Sequence, residues 1–464
     1  MKNKYIDLIE QTFEFPQPEF RVEDNELYFH EIPLMDIIEQ YGTPLKISYL
    51  PKISQNIKNA KRLFNVAMAQ VDYQGDYHYC YCTKSSHFSF ILEEVLKNDV
   101  HLETSSAFDI QLIETLLELG QLKKTTYVIC NGFKRPAYIQ GIIDLVNQGF
   151  EHVIPILDNL EEITHYDGKM NSKCKVGIRI ASEEEPMFDF YTSRLGIRFQ
   201  EIISLYKDRI QGNNNFELKM LHFFINTGIK DSAYYWNELS KSIMLYCELK
   251  KMCPELDSIN IGGGFPIKNS LGFSYEYEYM ANEIVAQIKT ICSQNGVEEP
   301  HIFTEFGSYT VGESGAVLYS IIDRKQQNDR ELWNMIDSSF MTTLPDTWAI
   351  NQRFILLAVN NWDQEYQRVF LGGLTCDSHD YYNAEAHQNA VYLPKLADDG
   401  EPQYIGLFHT GAYQEALGGF GGIQHCLIPA PKHIIIDLDE NGEYYTKLFA
   451  KEQSYKSMLK TLGF

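Results

Sequence analysis

Several stretches of the chain carry side chains whose types and surroundings could do chemistry. Lys84 stands in YCYCTKSSH, where a strand-like aromatic run ends. A lysine at the C-terminal end of a barrel strand points into the mouth, where burial can leave an uncharged nucleophilic amine. A solvated surface lysine is the competing reading. Gly262, Gly263 and Gly264 follow another short strand in NIGGGFP. Without Cβ atoms their backbone N–H groups can converge on a phosphate, although a plain tight turn would use the same residues. Glu305 closes a third strand in IFTEFGS, where a carboxylate either accepts a hydrogen bond from a ring nitrogen or serves as a cap or ion pair. Leu374–Asp380 (LTCDSHD) and Gly411–Gln414 (GAYQ) add further polar groups. The Cys–Asp pair is either a proton donor beside an anchor for a cation, or a buried thiol beside a turn aspartate.

These residues need a scaffold that brings strand ends together. Eight candidate strands run from Tyr77 onward: Tyr77–Thr83, Val100–Thr104, Thr126–Cys130, Val153–Asp158, Lys175–Ile180, Leu218–Phe224, Ser258–Gly262 and His301–Phe306. Stretches of helical periodicity separate them, such as Phe88–Lys97, Phe108–Leu119 and Tyr235–Lys251. Apolar strands that alternate with helices predict a parallel sheet closed as a (β/α)8 TIM-like barrel over residues 51–309, with chemistry at the C-terminal strand ends. From about residue 310 the texture becomes short and β-rich, with Ala316–Ile322, Phe354–Val359, Val369–Leu371, Tyr404–Phe408 and His433–Leu438 between turn residues. This predicts a mostly antiparallel β domain over 310–464, joined by the N-terminal segment 1–50 through the strand-like Pro44–Tyr49.

Composition removes several classes. The chain of 464 residues carries a formal charge of −23, which opposes a phosphate-tracking nucleic-acid binder. Hydrophobic residues make up 44% and charged residues 22%, enough apolar matter for a large globular core. No apolar run is long enough for a membrane span, and MKNKYIDLIEQTFEF lacks the apolar core of a signal peptide. Nine cysteines without a CxxC pair suit reduced thiols, so a soluble cytoplasmic protein is expected. No metal-ligand set is singled out.

An amine, a phosphate cradle and a ring-nitrogen carboxylate at one barrel mouth are what pyridoxal phosphate asks of a protein. In this setting the chain resembles the fold type III pyridoxal-phosphate-dependent decarboxylases of basic amino acids, from about Tyr41 to about Asp437. The motifs in order are CTKSS around Lys84, SRLGI at Ser193–Ile197, LHFF at Leu221–Phe224, IGGGF at Ile261–Phe265, TEFG at Thr304–Gly307, TCDS at Thr375–Ser378 and GAY at Gly411–Tyr413. Within the family, LPDTWAINQ at Leu344–Gln352, TCDS and GAYQEALGG at Gly411–Gly419 are similar to the biosynthetic arginine decarboxylases.

The resemblance implies a role for each position. Lys84 would bind the coenzyme covalently and Glu305 would keep its pyridine nitrogen protonated. Gly262, Gly263, Gly264 and the Tyr413 hydroxyl would hold the phosphate, with Arg179 nearby. A homodimer with shared active sites is implied, in which the partner subunit's Cys376 returns a proton to the substrate α-carbon and the partner subunit's Asp377 binds its distal cation. The implied reaction converts arginine to agmatine and CO2 in polyamine biosynthesis. Ornithine, lysine or diaminopimelate are alternative substrates, and a non-catalytic regulatory relative is an alternative role. The family's ring-stacking histidine corresponds to Phe224, which can stack but cannot donate. Its Gly-Ser corresponds to Asn226–Thr227, where Thr227 can supply a phosphate-binding hydroxyl. Gly421–Gly422 stands where an asparagine is expected. Its phosphate-site arginine corresponds to Ser308, a loss worth about 1.5–3 kcal/mol of binding unless Arg198 or another basic group replaces it.

Overall fold

The computed structural model describes residues 17–182, 193–385, 389–396, 400 and 402–464, so the stretch MKNKYIDLIEQTFEF lies outside the described residues. The chain divides into two compact units. One joins Ile53–Pro266 to Tyr275–Thr310, and the other joins the chain up to Lys52 to Ile267–Ser274 and Val311–Phe464.

The first unit is a closed parallel barrel. Its strands are Tyr77–Cys82, His101–Thr104, Val128–Cys130, Val153–Leu157, Cys174–Arg179, Phe216–His222, Ser258–Asn260 and His301–Phe306, with the eighth paired to the first. Each expected strand is present, with ends moved by at most two residues. The helices between them start where the sequence supplies starts. Ser106 caps Ala107–Glu118 by accepting from the Asp109 N–H, Pro136 opens Pro136–Asn147, and Ser232 caps Ala233–Lys250. Gly296, at φ +64°, ends the helix Tyr277–Asn295 in the left-handed region that favours glycine.

Period-two alternation sorts the barrel interior into layers. Cys80, Ile129, Ile154, Ile156, Met220 and Phe303, drawn from five strands, form one buried apolar cluster. Gly177 belongs to the same level, because a Cβ there would meet Ile156 Cδ1 at 2.3 Å. Two residues further along the strands stand Cys82, Asn131, Asp158, Arg179, His222 and Glu305, at the C-terminal rim. Two residues back stand His78, Tyr127, His152 and His301, at the N-terminal rim. The middle layer is a packed plug that separates two polar ends.

The second unit is built on a nine-stranded sheet. Most of its pairs are antiparallel, and the sheet is mixed because Glu331–Ile336 runs parallel to Tyr366–Gly372 and Lys432–Leu438 runs parallel to Leu45–Tyr49. Leu45–Tyr49 is buried along its whole length between Gly315–Asn328 and Lys432–Leu438, with its polar Lys46 and Ser48 paired to Glu415 and His433. A small three-stranded sheet from Phe20 to Pro33 packs on the same core through Phe20, Leu27 and Phe29. Ile267–Ser274, placed by the sequence within the barrel span, groups instead with this unit. Lys268 Nζ pairs with Glu19 at 3.0 Å, the Lys268 carbonyl accepts from His409 Nδ1 at 2.8 Å, and Gln17 donates to the Leu271 carbonyl at 3.1 Å. Among the described residues no helix is long and apolar enough to cross a membrane.

Candidate active site at the barrel mouth

Two buried carboxylates and a lysine dominate the C-terminal rim. Lys84, in the short turn Thr83–Ser85 after the first strand, pairs its Nζ with Glu103 Oε2 at the end of the second. The Lys84 side chain is 43% exposed and that of Glu103 is fully buried, so the amine sits over a buried charge with one side open. Asn131 then bridges the rim. Its Nδ2 donates to Glu103 Oε1 at 3.1 Å and to Glu305 Oε1 and Oε2 at 2.9 and 3.0 Å. The third and eighth strands are not neighbours, so this bond crosses the barrel interior. Asn260 Nδ2 adds a bond to Glu305 Oε1 at 2.6 Å.

Glu305 is therefore a buried carboxylate supported by neutral amides. Burial pushes its carboxyl above the ordinary value, against the pull of Lys84, the two asparagines and Arg179. Burial also raises Glu103, opposed by Lys84 and reinforced by Glu305. Among the described residues the imidazole nearest Glu305 is that of His222, with Nε2 at 3.9 Å from Oε2. Burial and the Arg179 charge depress its pKa to about 3, so it is neutral at ordinary pH. A cationic N–H presented to Glu305 would meet a carboxylate whose two Asn donors carry no charge.

Asn260 also links this carboxylate to the glycine loop, since its Oδ1 accepts from the Gly262 N–H at 2.9 Å. The loop is packed too tightly for side chains. A Cβ on Gly263 would lie 2.3 Å from the Glu305 carbonyl oxygen, and one on Gly264 would lie 2.8 Å from Gly228 Cα. Gly262 and Gly264 have φ +70° and +123°, both in the region that favours glycine. The turn Asn226–Gly228 lies against this loop through Ile229 N–H to Gly264 carbonyl, 2.9 Å. Asn226 Nδ2 and Oδ1 and Thr227 Oγ1 are buried there with no hydrogen-bond partner. Orphaned buried donors beside a side-chain-free loop are the fit expected of a phosphate cradle. The residues thus suit the coenzyme that the sequence pointed to.

Other candidate positions sort themselves by place. Phe224 is 39% exposed, with the Arg179 guanidinium carbon 5.9 Å from its ring centroid. Arg198 does not replace the arginine absent at Ser308. It is exposed and forked onto Glu201, Nε to Oε2 at 2.9 Å and Nη2 to Oε1 at 2.5 Å. Ser308 itself begins the short helix Ser308–Val311. Asp109 fixes the Lys84 turn by accepting from Thr83 Oγ1 and from His87 Nε2, each at 3.0 Å.

Cys376, Asp377 and Tyr413 belong to the β unit. Cys376 is exposed with its Sγ 3.8 Å from Cys426 Sγ, and Asp377 accepts from the His379 N–H at 2.8 Å. The second aspartate of LTCDSHD holds this loop in shape. Buried Asp380 accepts from Thr375 N and Oγ1, Ser339 Oγ and Phe340 N at 2.7–3.1 Å. Tyr413, at φ +67°, precedes the helix Gln414–Gly418. Gln414 then clips GAYQ to LPDTW through Nε2 to Asp346 Oδ2 at 2.8 Å.

Glu103, Asn131, Asn260 and His222 were not singled out in the sequence. The signal was there: each stands at or just beyond the C-terminal end of a barrel strand, on the face shared with Glu305.

The sequence model of the family described as "Pyridoxal-dependent decarboxylase, pyridoxal binding domain" matches residues 52–312. The biosynthetic arginine decarboxylase of Prochlorococcus marinus (strain MIT 9215) is 22% identical over 549 residues, covering 92% of this chain and 83% of that protein. Arginine decarboxylase 1, chloroplastic, of Arabidopsis thaliana is 23% identical, covering 86% and 73%. Among solved structures, the biosynthetic arginine decarboxylase of Campylobacter jejuni superposes with a TM-score of 0.83 at 20% identity, covering 97% of this chain and 90% of that one. Diaminopimelate decarboxylase from M. jannaschii in complex with L-lysine gives a TM-score of 0.79 at 15% identity, covering 96% and 97%. At these identities the structural likeness is one of fold.

Proposed function

This chain belongs to the pyridoxal-dependent decarboxylase family, and from that membership we propose that it decarboxylates arginine, yielding agmatine and CO2 on the way to polyamines. The observation that carries the mechanism is the rim network, in which Lys84, Glu103, Asn131, Glu305 and Asn260 form one connected set. Pyridoxal phosphate, when bound, supplies an electron sink for the pair left behind as the carboxylate departs. In this reading Lys84 Nζ would hold the coenzyme, Glu305 would accept from its ring N–H, and Phe224 would offer it an aromatic face. The N–H groups of Gly262, Gly263 and Gly264, Thr227 Oγ1 and the Tyr413 hydroxyl would hold the phosphate, while Ser308 would contribute a hydroxyl in place of a charge. Arg179 supplies positive potential at the same rim, as its pull on both Glu305 and His222 indicates.

The proposal includes a cytoplasmic homodimer whose subunits share active sites. The partner subunit's Cys376 returns a proton to the α-carbon, and the partner subunit's Asp377 receives the substrate's distal cation. Exposure of the Cys376 thiol on a loop pinned by Asp380 supports a donating role. Arginine is favoured because relatives bearing that activity in their names align over most of this chain, 92% in one case. The test is CO2 release from arginine, ornithine, lysine and diaminopimelate by protein loaded with pyridoxal phosphate. Arginine should be turned over fastest. Turnover of another diamino acid with none on arginine would overturn the substrate, and a colourless protein inactive on all four would leave a regulatory relative.

A further inference from the structure

Seven of the nine cysteines are buried and two are exposed. The exposed pair, Cys376 and Cys426, lie fifty positions apart in sequence yet have their Sγ atoms 3.8 Å apart. The loops that carry them are also joined without the sulfurs, since His425 Nε2 is 3.7 Å from Asp377 Oδ2. Cys426 and Leu427 both have left-handed backbones, φ +53° and +54°, and neither is glycine. A turn holding two such residues in a row, next to Gly419, Gly421 and Gly422, has alternative backbone conformations close by. The buried neighbours Cys247 and Cys292, 4.0 Å apart, lack this access to solvent.

We propose that Cys376 and Cys426 form a redox-active dithiol that closes to an intrachain disulfide when a hydroperoxide reaches it. The sulfurs must approach from 3.8 Å to a bond of about 2.05 Å. One thiolate attacks a peroxide oxygen; the O–O bond breaks, and the departing oxygen takes a proton and leaves as water or an alcohol. The resulting sulfenic acid is attacked by the second thiol, so that the S–S bond forms, the S–O bond breaks and water departs. Two thiols are oxidised, and the peroxide receives both electrons. In the reduced pair the hydrogen bond with Cys426 raises the Cys376 thiol above its ordinary value, so Cys376 rests mainly as the thiol and reacts through its minor thiolate fraction. Closure would remove that proton, and the consequence for turnover rests on the proton-donor role proposed for Cys376. The dithiol itself does not rest on it.

The experiment treats the holoenzyme with hydrogen peroxide, alkylates it and maps its peptides without reduction. Peptides containing Cys376 and Cys426 should be joined, with two fewer alkylated thiols than in untreated protein, and dithiothreitol should restore both. In Cys426→Ser the same treatment should give a dimedone-trappable sulfenic acid on Cys376 and no crosslink. Two thiols still alkylated after peroxide, or the same oxyacid on Cys376 in wild type and Cys426→Ser, would overturn the proposal. Formation of amine product should fall by about 100-fold on oxidation and return on reduction. A disulfide with undiminished turnover would confirm the dithiol and contradict the role of Cys376 in catalysis.

Discussion

The two ends of the barrel are built on the same eight strands and differ in one property, whether their polar groups are already satisfied by one another. At the N-terminal rim the backbone supplies the donors. The Tyr127 N–H donates to His101 Nδ1 at 3.2 Å, which leaves the proton of a neutral His101 on Nε2, 3.1 Å from His78 Nδ1. Rings close the rest: His78 stacks on Phe303 at 4.4 Å and Tyr127 on His152 at 4.1 Å. Burial depresses the pKa of His78 to about 4 and that of His101 to about 3, so both sit as neutral packing groups. Asp76, His78 and His301 bring potential metal-ligand atoms within 4.8 Å, a grouping the sequence reading did not single out. Yet the Asp76 N–H already donates to His301 Nδ1 and His78 Nδ1 is paired with His101. At the C-terminal rim two carboxylates share the amide of Asn131, and Asn226 and Thr227 have buried atoms left over. A rim that completes itself adds stability, and a rim that leaves charges and donors unanswered is prepared for a ligand.

Breaking the mouth should cost activity and spare the fold. Glu305→Gln is nearly isosteric and leaves one oxygen to accept from Asn131 and Asn260, but it removes the charge. Turnover is expected to fall by about 10²–10³-fold, with bound coenzyme and melting temperature largely retained. A steady-state assay beside a thermal melt reads both, and a variant that loses stability while keeping turnover would reverse the assignment of the two ends.

Breaking the N-terminal rim should do the opposite. His101→Ala leaves a cavity and strips His78 of its donor, so stability should drop by about 2–4 kcal/mol while kcat/KM stays within about twofold. Denaturant titration against initial rates measures the split. Equal losses in both would mean that the plug does not insulate the rims.

A smaller effect follows from pH. His78, His101 and His222 have native pKa values of about 4, 3 and 3, below the ordinary 6.5. The unfolded chain therefore binds protons in this range that the native chain refuses, and stability declines as pH falls below about 6.5. At pH 5 each such histidine costs at most about 2 kcal/mol. Glu103 and Glu305 act in the reverse sense, because raised carboxyl pKa values favour the native state on the acid side. Melting temperatures at pH 7 and pH 5 should show a fall that shrinks in His101→Gln. An acid response identical in that variant would remove the N-terminal rim from the account.

Much of this was legible in the sequence, and the illegible parts share a cause. Most positions of the eight barrel strands are buried, and the strands read as short runs rich in β-branched, aromatic or other apolar residues, which is why their positions were recoverable from His301–Phe306 as readily as from Tyr77–Cys82. Glu331–Ile336, Val391–Pro394 and Tyr444–Ala450 were missed because their mixed, partly exposed faces carry no such signal. Lys84 and Glu305 stood out through their motifs. Asn131, Glu103 and Asn260 did not, because an amide or carboxylate at a strand end has meaning only once eight strand ends are brought into one ring. The partner of Cys376 was equally hidden, since no spacing rule ties position 376 to position 426.

A coenzyme held on one amine of the open rim can be trapped there. Protein incubated with pyridoxal phosphate, reduced with borohydride and digested should carry a pyridoxyl label on the peptide containing Lys84, and Lys84→Ala should carry none. A label spread over surface lysines, or an unlabelled Lys84 peptide, would contradict the account.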